Sequence, residues 1–349
     1  MEPTQTVPEN SAKPAPNAAP VNPFRFMETM FGYAPALILD SAAACGIFEA
    51  LAEGGRTSAE VAERCKVTSR GAAIILNALV GLEWLIKSGE CYMLTEESAA
   101  LLLKSSPGYH GGMLWHIVRR LLPAWQNLET TLRTGRPAVP LNIEGEGGGC
   151  FRDFVAALYC ANYPAARKLA ASLPAVAGQR DLKVLDVAAG SGVWGIALAL
   201  ASPRVHVTAL DWQAVVPVTR NTAEQMGVAD RFDFIGGDVH EAAWGSGYGL
   251  IVLGHILHTQ GEALSRALLE KAHDALAPGG TLVVAEVLVN EDRTGPAMPL
   301  IFAVNMLVTT DIGDTYSMSE ISSWLADAGY RNIRTLDVPG SSPLILADK

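Results

Sequence analysis

Residues Val184-Leu-Asp-Val-Ala-Ala-Gly-Ser-Gly-Val-Trp-Gly195 decide the fold. An apolar run suited to a buried strand meets a glycine-rich bend and continues as an apolar helix. An open α/β sheet builds a ligand crevice in this way, at the carboxyl edge of its strands. Gly190 and Gly192 let the backbone approach a ligand closely, and the helix that follows offers unpaired N–H groups in its first turn.

Outward from this stretch, strands are predicted over 183–187, 205–210, 232–236, 250–253 and 281–287. Helices begin near Gly192, Gln213 and Glu262. Such alternation makes a parallel sheet covered on both faces. The end breaks the pattern. Segments 332–338 and 344–347 flank Pro339-Gly-Ser-Ser-Pro343, which predicts a strand pair closed by a turn. The fold class is therefore α/β, with a mostly parallel seven-stranded sheet and an antiparallel C-terminal strand, over about 179–349.

The rest of the 349 residues bounds the function. Hydrophobic types make up 49% and charged types 18%, enough to build a core and to exclude wholesale disorder. With 26 Lys and Arg against 36 Asp and Glu, the net charge of −10 repels polyanions, so no nucleic-acid partner is expected. Asp40 interrupts the most apolar stretch, 36–47, so no membrane span is expected either. The opening residues lack the basic and apolar regions of a secretion signal, and the five cysteines form no zinc-type spacing. Both point to a cytoplasmic protein with reduced thiols and no metal site.

Upstream, the Pro-rich residues 1–22 read as a disordered tail. Segment 23–106 reads as helices followed by a hairpin. Residues 31–48 are apolar nearly all round, as suits a helix buried against a second subunit. Thr57 and Glu60 form a capping-box pattern, and Ala72, Ile75, Leu79 and Leu82 recur at helical spacing over 69–85. Ser88-Gly89 marks the hairpin turn. The arrangement is a winged helix. Between Pro23 and Lys104, however, seven basic residues face ten acidic ones, which favours dimerisation over DNA binding. Segment 107–178 reads as a helical connector with a loop over 145–149. Its aromatic stripe of Phe151, Phe154, Tyr159 and Tyr163 is core or, in part, pocket lining.

Gly190-Ser-Gly-Val-Trp-Gly195 also satisfies the GxGxxG pattern of dinucleotide enzymes, a weak signal alone. Three acidic positions pull away from it. Asp186 lies inside the strand, where a pyrophosphate would meet an unhelpful charge. Asp211 ends the next strand, placed for ribose hydroxyls. Asp238, in Gly236-Gly-Asp-Val239, suits an adenine amino group. A ligand with adenine, ribose, a cationic centre and an amino-acid end fits better than one with two phosphates.

From Phe24 onward the chain resembles the small-molecule O-methyltransferases of the class I, Rossmann-like kind, which carry an N-terminal winged-helix dimerisation domain. The motifs in order are Leu185-Asp-Val-Ala-Ala-Gly-Ser-Gly192, Leu210-Asp-Trp212, Gly237-Asp-Val239, Gly254-His-Ile-Leu-His258, Leu276-Ala-Pro-Gly-Gly280 and Val284-Ala-Glu286. The resemblance implies S-adenosylmethionine as cofactor, a homodimer and an aromatic small-molecule acceptor. It assigns Gly190, Ser191 and Gly192 to the methionine end, with Asp186 supporting the loop. Asp211 takes the ribose, Trp212 flanks the adenine, Asp238 and the Val239 backbone read its edge, and Gly254 lies near the cofactor. His258 stands where the family has its catalytic base, with Glu286 as its partner.

Departures follow the same motifs. His258-Thr259-Gln260 replaces the usual His-Asp-Trp or His-His, and Thr315 stands where plant-type members place a second glutamate. His255 could substitute for His258 as the base, but it reads rather as solvent-facing or packing. Met298, Phe302, Asn305 and Met306, with Phe154, are the expected acceptor wall. They suggest a flat apolar molecule. Alternatives are a C-methyltransferase on a planar aromatic or tetrapyrrole-like substrate, and a non-methylating relative that retains the cofactor.

Overall fold

The computed structural model describes residues 21–106, 108–137, 148–178, 180–340 and 342–349. The tail expected over 1–22 lies almost wholly outside them, as do residues 145–147 of the expected loop. Gly148 already opens a helix, Gly148–Ser172, so the loop does not extend to residue 149 as expected.

Seven strands form the main sheet: β1 (Leu182–Val187), β2 (Val205–Asp211), β3 (Phe232–Gly236), β4 (Tyr248–Gly254), β5 (Leu276–Ala285), β6 (Arg331–Leu336) and β7 (Leu344–Asp348). Their order is β6-β7-β5-β4-β1-β2-β3. The first five run parallel, and β7 is antiparallel to both neighbours. The strand pair read from the sequence is therefore present.

Side-chain alternation divides the core in two. Val184 of β1 belongs to one face, with Leu250 and Val283. Leu185 and Val187 belong to the other, with Leu253 and Val284. Helix Val193–Ala201 is buried from Val193 to Ala199 because it sits beneath the sheet and under helix Gly148–Ser172. A helix that is apolar on every side is stable only when covered in this way.

At the N-terminal end, helices Ala34–Ala44, Ser58–Cys65 and Ser69–Gly81 and the hairpin Leu85–Ser88/Cys91–Leu94 share a core of Phe48, Leu51, Leu76, Leu79 and Leu85. The Thr57 hydroxyl accepts from the Glu60 amide, and the Glu60 carboxylate accepts from the Thr57 amide, completing the expected capping box. Helix Ser69–Gly81 is shorter than expected, because Glu83 turns into the left-handed region at φ 64° and Leu85 enters the hairpin. Helix Pro23–Met30, preceding this core, has no buried residue in the single chain.

Helix Leu257–Ala275 differs more usefully. The sequence reading starts it at Glu262, and the main body does begin there, after Gly261 breaks the helix at φ 68°. A separate turn, 257–260, precedes the break. That turn carries His258 to the carboxyl edge of β4. Among the described residues no helix is long and apolar enough to cross a membrane.

Candidate active site

The glycine bend after β1 is held from below by two carboxylates. Asp186 is fully buried, and its Oδ2 accepts from the Gly195 amide at 2.9 Å. Its Oδ1 has no hydrogen-bond partner among the described residues. Asp211, at the end of β2, accepts from the Gly190 amide at 2.7 Å and from its neighbour Trp212 at 2.7 Å. Burial pushes the Asp186 carboxyl up to about 7, against the Gly195 N–H and with the Asp211 charge adding to it. Burial likewise pushes Asp211 up to about 6, against the amides of Gly190 and Trp212.

No Lys or Arg pairs with either carboxylate among the described residues. Two buried acids without a countercharge are costly alone, and a cationic ligand would relieve them. Two phosphates would make matters worse. The donor set thus fits a sulfonium nucleoside with an ammonium group.

Gly190 has φ 56° and Gly192 φ 77°, a region that side chains rarely adopt. A Cβ on Gly192 would stand 2.8 Å from Thr219 Cγ2, so the bend needs glycine for space as well as conformation. Ser191, between them, is buried. Beyond β3, Asp238 accepts from the His240 amide at 2.6 Å, and the Val239 carbonyl accepts from Trp244 and Lys271. Gly254 closes β4 against Trp194, whose indole fills the space that a Cβ would need. Trp212 packs with Phe154 on Val155, Val215 and Val218, beside the bend.

His258 and Glu286 meet at the edge of β4 and β5. His258 Nδ1 lies 2.7 Å from Glu286 Oε2, and both side chains are almost fully buried. The other carboxylate oxygen accepts from the Leu257 amide at 2.7 Å and the His258 amide at 3.3 Å. Burial alone would raise the Glu286 carboxyl; the His258 charge and hydrogen bond, with smaller contributions from His255 and the His258 amide, hold it below its ordinary value. An ionised Glu286 accepts a proton held on Nδ1, the arrangement that places the lone pair of a neutral imidazole on Nε2.

Thr315 is fully buried on the segment whose Asp314 amide donates to the His258 carbonyl at 2.9 Å. Its hydroxyl has no partner among the described residues. His258 is thus braced by one carboxylate and by a backbone contact. His255 is half-buried with φ 58°, its amide bonded to the Ala285 carbonyl at 2.8 Å. It packs between Trp194 and His258, with ring centroids 6.4 Å from each.

The expected acceptor wall is partly assembled. Phe302 presents itself edge-on to His258 with centroids 5.0 Å apart, and Met306 is buried one turn further along helix Ala297–Thr309. Asn305 accepts from the Trp125 indole at 3.0 Å, joining this helix to the connector. Phe154 stacks on His116 at 3.8 Å. Met298 is 68% exposed and stands apart from this cluster in the single chain.

Sequence reasoning missed His116, Trp125 and Trp194. His116 is buried, and that burial, with nearby Arg120, pushes it down to about 4. The available signal was a histidine and two tryptophans inside apolar helices, which read equally well as core.

A parallel sheet with an antiparallel seventh strand, a glycine bend over buried acids and a His–Glu pair at its carboxyl edge define a class I S-adenosylmethionine-dependent methyltransferase. The O-methyltransferase domain model matches residues 162–331, and the O-methyltransferase dimerisation domain model matches residues 27–104. The 3-hydroxy-5-methyl-1-naphthoate 3-O-methyltransferase of Streptomyces sahachiroi is 31% identical over 318 residues, covering 89% of this chain and 91% of the relative. The tetracenomycin polyketide synthesis 8-O-methyl transferase TcmO of Streptomyces glaucescens is 31% identical over 316 residues, 89% and 92% of the two chains. The solved structure of PigF with S-adenosylhomocysteine superposes with a TM-score of 0.83 at 26% identity, over 94% of this chain and all of that one. The chain belongs to the S-adenosylmethionine-dependent O-methyltransferase family, whose dimerisation domain it carries.

Proposed function

We propose that this enzyme methylates a hydroxyl of a flat, aromatic small molecule, with His258 as general base and Glu286 as its positioning residue. The single observation that carries this reading is the 2.7 Å contact between His258 Nδ1 and Glu286, which leaves the other ring nitrogen free to take a phenolic proton. Phe302 beside the imidazole supplies an aromatic wall for the acceptor ring. The two relatives named for naphthoate and tetracenomycin substrates support the same acceptor class.

When bound, S-adenosylmethionine supplies an electrophilic methyl group on a sulfonium. Asp186 and the bend at 190–192 would hold its cationic and amino-acid end. Asp211 would exchange the amides it now holds for ribose hydroxyls, with Trp212, Asp238 and Val239 about the adenine and Gly254 beside the cofactor. A phenol with a pKa near 10 is a weak nucleophile while protonated, so a base at His258 is worth roughly 10² or more. Phe154, Phe302, Asn305 and Met306 orient the ring, and alignment supplies much of the remaining rate. Met298 joins the wall if a second chain or a bound ligand covers it.

The reading divides the chain into a dimerisation unit over 23–106, a connector over 107–178 and a catalytic unit over 179–349, acting in the cytoplasm. Labelled S-adenosylmethionine with a panel of phenols and naphthols tests it. A product labelled on oxygen is expected, and label on ring carbon or no methylated product would overturn it.

A further inference from the structure

His255 was expected to pack or face solvent, and its geometry argues otherwise. It is a non-glycine residue at φ 58°, a conformation that costs an ordinary side chain of order 1 kcal/mol or more and persists where surroundings enforce it. The enforcing contacts are the Ala285 carbonyl, which takes its amide, and Trp194, which flanks its ring. Together they turn the imidazole toward the catalytic pair. A ring nitrogen of His255, a ring nitrogen of His258 and a carboxylate oxygen of Glu286 all lie within 4.8 Å of one another.

A metal ion is a poor occupant for this cluster. Both Glu286 oxygens are already engaged by the Leu257 and His258 amides and by His258 Nδ1, and a neighbouring sulfonium would repel a dication. Burial holds His255 below its ordinary value, with Glu286 opposing and His258 adding to the shift. A neutral imidazole has one donor and one acceptor nitrogen. Nothing among the described residues accepts from or donates to that ring, while His258 beside it has its carboxylate.

We propose that His255 reads a second oxygen of the acceptor, next to the hydroxyl that His258 deprotonates, so that the substrate class is an arene with two oxygens on neighbouring positions. This rests on the aromatic-acceptor reading above and narrows it. With the two ring centroids 6.4 Å apart, a nitrogen of each imidazole, reaching about 3 Å to its own partner, can bond to one of two oxygens on neighbouring positions of a single arene. A monohydroxylated ring would leave the His255 nitrogen unpaired in a half-buried site. A site built for a hydrogen bond rejects an analogue that lacks it.

The test is calorimetric titration of the full chain, saturated with S-adenosylhomocysteine, with an ortho-dihydroxylated naphthalene and with the matching naphthol. The wild type binds the two-oxygen arene about tenfold more tightly, as one hydrogen bond predicts. In His255→Phe the ratio falls to about one through loss of the two-oxygen arene alone. In His255→Asn, which tolerates the left-handed backbone and keeps a donor and an acceptor, the preference is retained in part. Unchanged S-adenosylhomocysteine affinity shows that each variant is folded. A wild-type ratio of one, or an equal loss of both arenes in His255→Phe, overturns the inference and leaves the aromatic-acceptor reading standing. Failure of the wild type to bind either arene overturns both.

Discussion

Glu286 holds His258 at two levels, accepting from the ring at Nδ1 and from the backbone turn that carries it, at 2.7 Å from the Leu257 amide. Orientation and tautomer of this imidazole are thus set by one buried carboxylate. His258→Ala should lower kcat on a phenol by about 10²-fold to 10⁴-fold with little change in cofactor affinity. Glu286→Gln keeps a carbonyl for the Leu257 amide and loses the charge. A kcat loss of roughly tenfold or more is expected, with KM nearly unchanged, in steady-state assays beside the wild type. A Glu286→Gln enzyme of full kcat would remove the positioning role.

The two buried acids make cofactor affinity depend on pH. Asp211 ionises at about 6 in the free protein, because burial raises it and the amides of Gly190 and Trp212 only partly compensate. On the proposed assignment ribose hydroxyls would donate to the ionised carboxylate, so binding would be favoured by deprotonation. Affinity for S-adenosylhomocysteine should be highest near pH 8, decline as Asp186, raised to about 7, takes up a proton, and fall further, by up to about tenfold per unit, as pH drops through 6. Asp211→Asn should bind more weakly at neutral pH and lose the part of that dependence centred at about 6. Calorimetry between pH 5 and 8 measures both, and a flat wild-type profile would contradict the assignment.

What the sequence made legible follows the physics of repetition. Strands β1, β2 and β4 were readable because burial on both faces leaves continuous apolar runs, the final pair because Pro339 to Pro343 marks a turn between two segments, and the glycine bend because positive φ demands glycine. The 257–260 turn was not readable as helix, since Gly261 follows it and four residues carry no periodicity. The placement of His255 beside His258 was not readable for a related reason. Its orientation comes from a left-handed backbone set by Ala285 and Trp194, partners 30 and 61 positions away in the chain. The His116–Phe154 stack depends on two helices meeting, which no local pattern encodes.

Thr315 offers a sharp check on how the base is braced. Its hydroxyl is buried and has no partner among the described residues, so no hydrogen bond of its own is lost when it is removed. Thr315→Val keeps the shape and removes the orphaned group. The variant should be as stable as the wild type or more stable by about 1 kcal/mol in denaturant unfolding. Its kcat should stay within about twofold, since a single carboxylate already supports His258. A large kcat loss would show that the hydroxyl serves the base or the acceptor.

The N-terminal helix makes the dimer testable. Phe24, Phe26, Met30, Phe31 and Tyr33 are 53–75% exposed in the single chain, a concentration of large apolar groups that a lone domain would not leave in water. Helix Pro23–Met30 buries nothing within its own chain, so the dimerisation domain has a face still to cover. Phe26 and Met30 lie one turn apart on that helix, and covering each is worth about 1.5–3 kcal/mol. Replacing both with serine, Phe26→Ser with Met30→Ser, should raise the dimer dissociation constant by at least tenfold in sedimentation equilibrium. The folded core around Phe48 and Leu76 should keep its melting temperature when measured as monomer. An unchanged dissociation constant would place the subunit contact elsewhere on the chain.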